Sequence, residues 1–204
     1  MQPPYGNVEQ NDIYNILEKI ILGVDPGTRV MGYGIISVEG NHASLVLMDV
    51  LNMQKMESYE LRIKYIFDSM IRLIDAYHPD YLAIEAPFYG KNVQSMLKLG
   101  RAQGVAIAAA LSRQIPFCEY EPRRIKQSIT GNGAASKEQV AAMLGRLLNF
   151  ADMPKYLDAT DALAVAYCHF LQKDIPEVSV VGKPRKPKAK SWASFLTENP
   201  DRVK

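Results

Sequence analysis

The spacing of the hydrophobic residues changes along the chain, and this change is what most limits the folds open to it. Residues 20–25, 32–38 and 43–50 are apolar or alternating runs typical of strands, and a hairpin-like turn at residues 39–41 joins the second run to the third. From residue 61 to residue 77, apolar residues instead recur every three or four positions, as on one face of a helix. The chain therefore predicts three strands in a meander followed by a helix.

Strands and helices then alternate. His78-Pro79 ends the first helix, because a residue before proline avoids the helical region. Ser136, followed three residues later by Gln139, predicts a helix start. Further strands are predicted at residues 81–84 and 115–119, and further helices at 92–111, 122–129, 136–149 and 157–172. This order predicts an α/β fold with a mixed sheet and helices on both faces.

The length and composition fit one domain with two end segments. The chain has 204 residues, of which 48% are hydrophobic, enough for a core without covalent staples. We predict an N-terminal extension at 1–18, a folded domain at 19–173 and a basic, flexible tail at 174–204.

There is neither an apolar run long enough to span a membrane nor a secretory signal pattern. Cys118 and Cys168 form no C-x-x-C pair, so we expect core thiols in a reducing cytoplasm, which excludes disulfide scaffolds and zinc ribbons.

Positive charge is concentrated in two parts of the chain. The net charge is only +2, yet residues 183–204 carry +5 and residues 91–137 carry +6. The remainder is therefore acidic. Such an uneven distribution favours a surface that faces a polyanion, although a charge run is often only a solvated face.

Two acidic residues end predicted buried strands. Asp25 closes the run IILGVD and is followed by Pro-Gly-Thr, and Glu85 closes YLAIE. The carboxyl ends of strands are where open α/β sheets bind ligands. Asp-Pro-Gly is equally good turn chemistry, and a salt bridge would account for Glu85 if it stood alone.

Two more acids, Asp158 and Asp161, lie three residues apart in LDATDALAVAYCHF and so share one helical face. Capping of the helix start accounts for one of them but less easily for both. Together with Asp25 and Glu85 they form a set of oxygen ligands, which suits Mg²⁺ or Mn²⁺. Two such ions can promote phosphodiester hydrolysis. His169, two turns further along, is interpreted as a core or rim histidine.

Four segments, 21–36, 80–110, 120–140 and 157–169, closely resemble the RuvC family of Holliday junction resolvases in order and spacing. The turn Asp-Pro-Gly-Thr alone also resembles that of actin-like kinases. The resemblance implies a ribonuclease H-like fold and a homodimer that makes paired symmetric nicks in a four-way junction, leaving 5′-phosphate and 3′-hydroxyl ends. It also implies the branch-migration proteins RuvA and RuvB as partners. The extension and the tail lie outside the resemblance.

The resemblance also assigns roles to residues. Asp25, Glu85, Asp158 and Asp161 match the metal-binding acids, and Lys126 and Lys137 match lysines near the scissile phosphate. Phe88 matches an aromatic that stacks on an unpaired base. The alternative is a loop aromatic packed on the core, and the neighbouring Tyr89 could take either role. The weaker candidates for DNA contacts are Lys91, Arg101, Arg123 and Arg124.

Three other functions compete with a junction nuclease. An actin-like phosphotransferase normally needs two such domains and a longer chain. A silent junction-binding protein gains nothing from four carboxylates facing phosphates. The stronger alternative is a related nuclease acting on other branched DNA or on RNA–DNA hybrids. The predicted helix 92–111, rich in Ala and Gly, favours a dimer, although packing on its own sheet would explain much of that composition.

Overall fold

A five-stranded mixed sheet lies at the centre of the computed structural model, which describes residues 18–87, 92–151 and 154–172. The strand order is β3-β2-β1-β4-β5; β1, β2 and β3 pair antiparallel, whereas β4 runs parallel to β1 and β5 parallel to β4. The strands are β1 (Lys19–Asp25), β2 (Val30–Glu39), β3 (His42–Asn52), β4 (Tyr81–Glu85) and β5 (Phe117–Tyr120). The predicted meander, hairpin and mixed sheet are confirmed.

Helices cover both faces of this sheet, as the sequence predicts. They are α1 (Tyr59–Tyr77), α2 (Val93–Ser112), α3 (Pro122–Thr130), α4 (Lys137–Leu147) and α5 (Leu157–Phe170). One hydrophobic core joins α1 and α2 to one face, and a second core joins α3, α4 and α5 to the other. Successive side chains of β1 point to opposite faces of the sheet, so Ile21 packs in the second core whereas Leu22 and Val24 pack in the first.

Local signals in the sequence account for the element ends. His78 is a left-handed C-cap with φ 46°, and the Ser136–Gln139 pair forms the predicted capping box at the start of α4. β5 begins two residues later than predicted, because Pro116 has no N–H for the ladder; its carbonyl still accepts a hydrogen bond from Leu82.

Helix α5 is the most deeply buried helix of the described chain, and two glycines let it lie directly on β1 and β2. A Cβ added to Gly23 would lie 2.2 Å from the carbonyl oxygen of Ala162, and one added to Gly32 would lie 1.8 Å from that of Asp158. No side chain fits at either contact. The close approach fixes the start of α5 above the C-terminal end of β1.

His169, near the end of α5, is fully buried and pairs through Nδ1 with the Tyr120 hydroxyl at 2.7 Å. Burial lowers the pKa of His169 to about 4, so the ring is neutral near pH 7. It is a core histidine, as predicted. Cys168 is buried and Cys118 half-buried, and both pack in the core beneath α5. Among the described residues, no helix has the length and hydropathy to cross a bilayer.

Candidate metal centre

The ends of β1 and β4 bring two carboxylates together at one edge of the sheet. The strands are parallel neighbours with Val24 opposite Ile84, so Asp25 and Glu85 follow side by side. Neighbouring strands are about 4.8 Å apart, which places these two side chains within reach of a common ligand. The sequence predicts both residues at strand ends, and the parallel pairing explains their proximity.

Helix α5 adds two carboxylates from above this edge. Asp158 lies in its first turn and Asp161 one turn later, on the same face. The carboxylate oxygens of Asp25, Asp158 and Asp161 lie within 4.8 Å of one another. Three of the four predicted acids thus form a compact group in which all three side chains are half-buried.

Glu85, the fourth acid, lies beside this group. It lines a cleft of about 170 Å³ together with Asp25, Asp161, Lys126 and Lys137. It does not share the mutual 4.8 Å spacing of the three aspartates. Asp158, conversely, belongs to the compact group but does not line the cleft.

The crowding of carboxylates disfavours their ionised forms. Burial raises the pKa of Asp25 well above its usual range, and the Glu85, Asp161 and Asp158 carboxylates raise it further against the opposing Lys137 ammonium. Burial and the Asp161 charge raise the pKa of Glu85 to about 7, although Lys137 and Lys126 oppose the shift. The site therefore holds more negative charge than the protein compensates.

Lys137 supplies part of the compensation. It is the first residue of α4, directly after the Ser136 cap, and its ammonium group forms an ion pair with Asp161. Burial alone would lower the pKa of Lys137, but Asp161, Asp25 and Asp158 together raise it. Lys126 lines the same cleft from α3. Both lysines predicted near the scissile phosphate therefore lie beside the acids.

The simpler structural explanations account for only part of this acidic group. Asp158 lies in the first turn of α5, where the helix dipole stabilises an acid, although the N-cap itself is Tyr156. Asp161 lies one turn later, and among the ion pairs that the described part of the chain forms, none involves Asp25 or Glu85. The helix start and a salt bridge to Glu85 therefore do not explain the group as a whole.

The other predicted contact residues are spread over different surfaces. Arg101 is exposed on α2 and does not line the acidic cleft. Arg123 and Arg124 line a separate pocket of about 300 Å³ on the opposite side of α3 from Lys126. Arg124 also donates to the Gln172 side chain and lies 5.5 Å from the Tyr120 ring centroid. The remaining three, Phe88, Tyr89 and Lys91, lie outside the described residues.

One polar residue next to the site is absent from the predictions. Gln103 is buried on α2 and donates to the Glu119 carboxylate at 2.6 Å and to the backbone carbonyl of Glu85 at 3.4 Å. It ties α2 to the ends of β4 and β5. The sequence feature that could have identified Gln103 is the presence of a glutamine on the buried side of an Ala-rich helix.

The donor set fits a divalent metal ion. All the candidate ligand atoms are carboxylate oxygens, the ligands that hard divalent cations prefer. Burial, and after it the neighbouring carboxylates, raise the pKa values of Asp25 and Glu85, and a divalent cation at the site would favour their ionised forms. The acidic group and the residues around it thus point to divalent metal use.

A mixed sheet with carboxylates gathered where two central parallel strands end defines a ribonuclease H-like α/β domain. A family model described as "Crossover junction endodeoxyribonuclease RuvC" matches residues 21–169. The chain therefore belongs to this family.

Curated relatives named crossover junction endodeoxyribonuclease RuvC extend the likeness beyond that range. The Bacteroides fragilis protein is 55% identical over 195 residues, covering 94% of this chain and all of the relative. The Porphyromonas gingivalis protein is 56% identical over 189 residues, covering 92% of this chain and 98% of the relative. These alignments reach into the end segments, which lie outside the motif resemblance.

A solved structure shows the same fold. Thermus thermophilus RuvC in complex with a Holliday junction substrate is 30% identical to this chain and superposes with a TM-score of 0.70. The match covers 74% of this chain and 92% of the Thermus chain.

Proposed function

We propose that this protein is a metal-dependent endonuclease of the cytoplasm that resolves four-way (Holliday) DNA junctions by paired symmetric nicks, in homologous recombination and DNA repair. The observation that carries the proposal is the group formed by Asp25, Asp158 and Asp161, with carboxylate oxygens within 4.8 Å of one another and two lysines alongside. Membership of the RuvC family, and the junction bound to the Thermus relative, support four-way DNA as the substrate.

In this proposal Asp25, Glu85, Asp158 and Asp161 hold two Mg²⁺ ions, for which Mn²⁺ can substitute. When bound, such ions supply activation of water and stabilisation of the leaving 3′-oxygen, which leaves 5′-phosphate and 3′-hydroxyl ends. The four side chains contribute by fixing the ligand positions: two are anchored at strand ends and two on the buried helix α5.

Lys126 and Lys137 orient the scissile phosphate at the mouth of this cleft. Both lysines line the cleft together with the acids. A phosphodiester that enters the cleft would lose contacts with water and gain charge-assisted hydrogen bonds to two ammonium groups. The ion pair with Asp161 holds Lys137 in place before DNA arrives. Arg101, Arg123, Arg124 and Lys91 contact phosphates further away, and Phe88, with Tyr89 as its neighbour, stacks on an opened base near the junction centre.

A homodimer that pairs through the outer face of α2 places two such sites on one junction. Val93, Leu97 and Leu111 are 64%, 53% and 40% exposed on this face. Between them Gly104 has open space around its Cα and Ala108 is exposed. This spacing forms one apolar stripe along the helix, with small residues at its middle where a second copy can approach closely.

The buried and exposed small residues of α2 have different partners. Ala102, Ala106, Ala109 and Ala110 are fully buried in the core shared with α1, so these positions serve the monomer. Among the residues that the structure describes, the exposed apolar stripe is the part of α2 that can pair with a second copy. A two-fold dimer matches the near two-fold symmetry of a four-way junction, so both nicks are made before the junction dissociates. The proposed partners beyond DNA are the branch-migration proteins RuvA and RuvB.

The test is a cleavage assay on a synthetic four-way junction with and without Mg²⁺, beside duplex, nicked, three-way and RNA–DNA hybrid controls of matched length. We expect paired nicks in the junction only when metal is present. Equal or faster cleavage of the hybrid or three-way substrate would overturn the junction assignment in favour of a related nuclease of the same fold.

A further inference from the structure

A second cleft, lined by basic residues, lies on the other side of the acidic edge and has no role in the proposal above. Its volume is about 390 Å³, larger than the acidic cleft and within the roughly 300–1,000 Å³ range of ligand pockets. Three segments meet there: the turn after β1, the start of α1 and the start of α2. They contribute the cations Arg29, Arg62 and Lys98.

Hydrogen bonds hold the walls of this cleft in place. The Arg62 guanidinium donates to the carbonyl of Met56 through Nε at 3.2 Å and Nη2 at 2.7 Å. Met53 donates from its backbone N–H to the carbonyl of Arg29 at 2.8 Å. The Tyr59 hydroxyl donates to the carbonyl of Lys98 at 3.3 Å, which joins α1 to α2. The three cations are therefore presented by segments tied to one another.

The positive charge of the cleft is not neutralised within the described chain. Arg29, Arg62 and Lys98 take part in none of its ion pairs, and the only acid among the lining residues described is Glu57. Three cations around a concave surface repel one another and concentrate a positive potential, which an anion relieves. Thr28 and Ser95 line the same space, and their side chains carry hydroxyl groups that can donate hydrogen bonds.

The cleft is close to the acidic group but belongs to the opposite layer of the fold. Arg29 follows Asp25 by four residues, so their Cα atoms are at most about 14 Å apart. Each strand of a duplex carries one phosphate per 3.4 Å of helix axis, so this span covers at most about four nucleotides along the axis. Lys126 and Lys137 come from α3 and α4, whereas Arg62 and Lys98 come from α1 and α2 on the other face of the sheet.

We propose that this cleft binds the phosphodiester backbone of the same DNA, within about four nucleotides of the scissile phosphate, so that the cut strand is held on both sides of the acidic group. The inference rests on the proposed nuclease function and extends it to three residues with no assigned role. A phosphodiester backbone fits better than a free anion, because the cations line an open cleft and do not converge on one buried point.

The test compares Arg29→Ala, Lys98→Ala and the double variant with Lys19→Ala. Lys19 is an exposed cation at the opposite end of β1, about 20 Å from Asp25, and serves as the matched control. Arg62 is left intact because it orders the segment before α1. Binding of a fluorescent four-way junction is measured in chelator, where no cleavage occurs, at several salt concentrations, and unfolding temperatures verify folding.

We expect each single variant to weaken binding roughly tenfold near 0.1 M salt and to lower the slope of log K against log salt by about 0.9, the value of one phosphate contact. Lys19→Ala should bind as the wild type does. Glu57→Gln, which removes the acid of the cleft, should tighten binding. Wild-type affinity and slope in the double variant would overturn the inference, and leave the nuclease proposal intact if the wild type still cleaves.

Neutral methylphosphonates placed singly within four nucleotides of the cut identify the contact itself. At one or more positions this substitution should lower the junction affinity of the wild type but not that of the Arg29→Ala, Lys98→Ala double variant. If it lowers the affinity of both proteins equally at every position, the cations act by long-range attraction without contact, and the inference is overturned. A wild type that neither binds nor cleaves the junction would instead refute the proposed function on which the inference rests.

Discussion

The carboxyl groups of Asp25 and Glu85 resist ionisation because they are buried beside other acids. A proton and a divalent cation would relieve the same excess of negative charge, so a cation bound as proposed would compete with protons for these oxygens. Metal affinity, stability and pH would then depend on one another.

The first prediction concerns stability and pH. The folded pKa of Glu85, about 7, lies above its usual value of 4.5, so its protonation stabilises the fold below about pH 4.5 and this contribution is lost as the pH rises through 7. Asp25 acts in the same direction. In chelator, the unfolding temperature should fall between pH 5 and pH 8, and Mg²⁺ should raise it more at pH 8 than at pH 6. Scanning fluorimetry measures both; a Mg²⁺ effect independent of pH would contradict the expectation.

The second prediction separates cleavage from binding. Asp25→Asn, Glu85→Gln and Asp161→Asn should each abolish cleavage and leave junction affinity within about threefold, because affinity comes from phosphate contacts. Asp158→Asn should be the mildest, since an amide oxygen can still ligate and this residue does not line the cleft. Glu85→Gln should also stabilise the metal-free protein at pH 8, by at most roughly 3 kcal/mol. Loss of binding in step with loss of cleavage would show that the acids are structural.

The third prediction concerns the aromatic pair. Phe88→Ala should slow junction resolution, because stacking on an opened base contributes about 1–3 kcal/mol, while metal binding and unfolding temperature stay unchanged. Tyr89→Ala is the matched control and should have the smaller effect. A junction with a base already unpaired at the cut should restore part of the rate. An unfolded Phe88→Ala protein would place the ring in the core.

Among the elements, α5 decides whether a site exists, because it carries two of the four acids and lies directly on β1 and β2. At Gly23 and Gly32 the backbone of the strands lies directly against the backbone of α5. This close contact holds the helix, and with it Asp158 and Asp161, in one position relative to the strand ends. The site is therefore as rigid as the helix packing beneath it.

The fourth prediction tests this packing. The methyl group of Gly23→Ala would meet the carbonyl oxygen of Ala162 at 2.2 Å and the backbone nitrogen of Ala166 at 2.7 Å. Backbone atoms cannot rotate away, so we expect a loss of several kcal/mol in the free energy of unfolding, or no folded protein. Gly100→Ala is the control: nothing in the described structure lies within 4 Å of its added Cβ, and alanine favours a helix by about 0.5–1 kcal/mol. Urea unfolding of both variants checks the contrast.

Hydrophobic spacing was sufficient to predict these elements and the strand-end positions of Asp25 and Glu85. It was not sufficient for contacts between side chains from distant segments. The ion pair of Lys137 with Asp161 depends on how α4 packs beside α5, and the hydrogen bonds of Gln103 depend on α2 crossing the ends of β4 and β5. The placing of Arg123 and Lys126 in two separate pockets depends on which elements pack beside α3.

At the scale of the whole molecule, the proposed function gives the acidic cleft and the apolar stripe on α2 different roles. The proposed cleavage site lies within one chain, whereas paired nicks would need two such sites related by a symmetry axis. Since the stripe is exposed in the monomer and Ala106 is not, assembly can be perturbed without touching the core.

The fifth prediction concerns assembly. The wild type should have the mass of a dimer at tens of micromolar, and Leu97→Arg should shift it to a monomer while retaining its unfolding transition, because the new charge lies on the exposed stripe. Paired nicking should fall much more than single nicking. Light scattering measures the mass, with Leu61→Arg, an equally exposed leucine on α1, as the control. A wild type that is monomeric, also on junction DNA, would contradict the dimer.

The order of the four acids along the chain has a consequence for protein synthesis. The strand-end acids come at positions 25 and 85, but the helix that completes the group is made after them, with Asp158 and Asp161 beyond three-quarters of the chain. A ribosome that stalls earlier, or a protease that removes α5, releases a fragment that lacks both of these acids and many residues of one core. If the four acids hold the metal as proposed, such a fragment has no complete metal site, and cleavage is confined to completed, folded molecules.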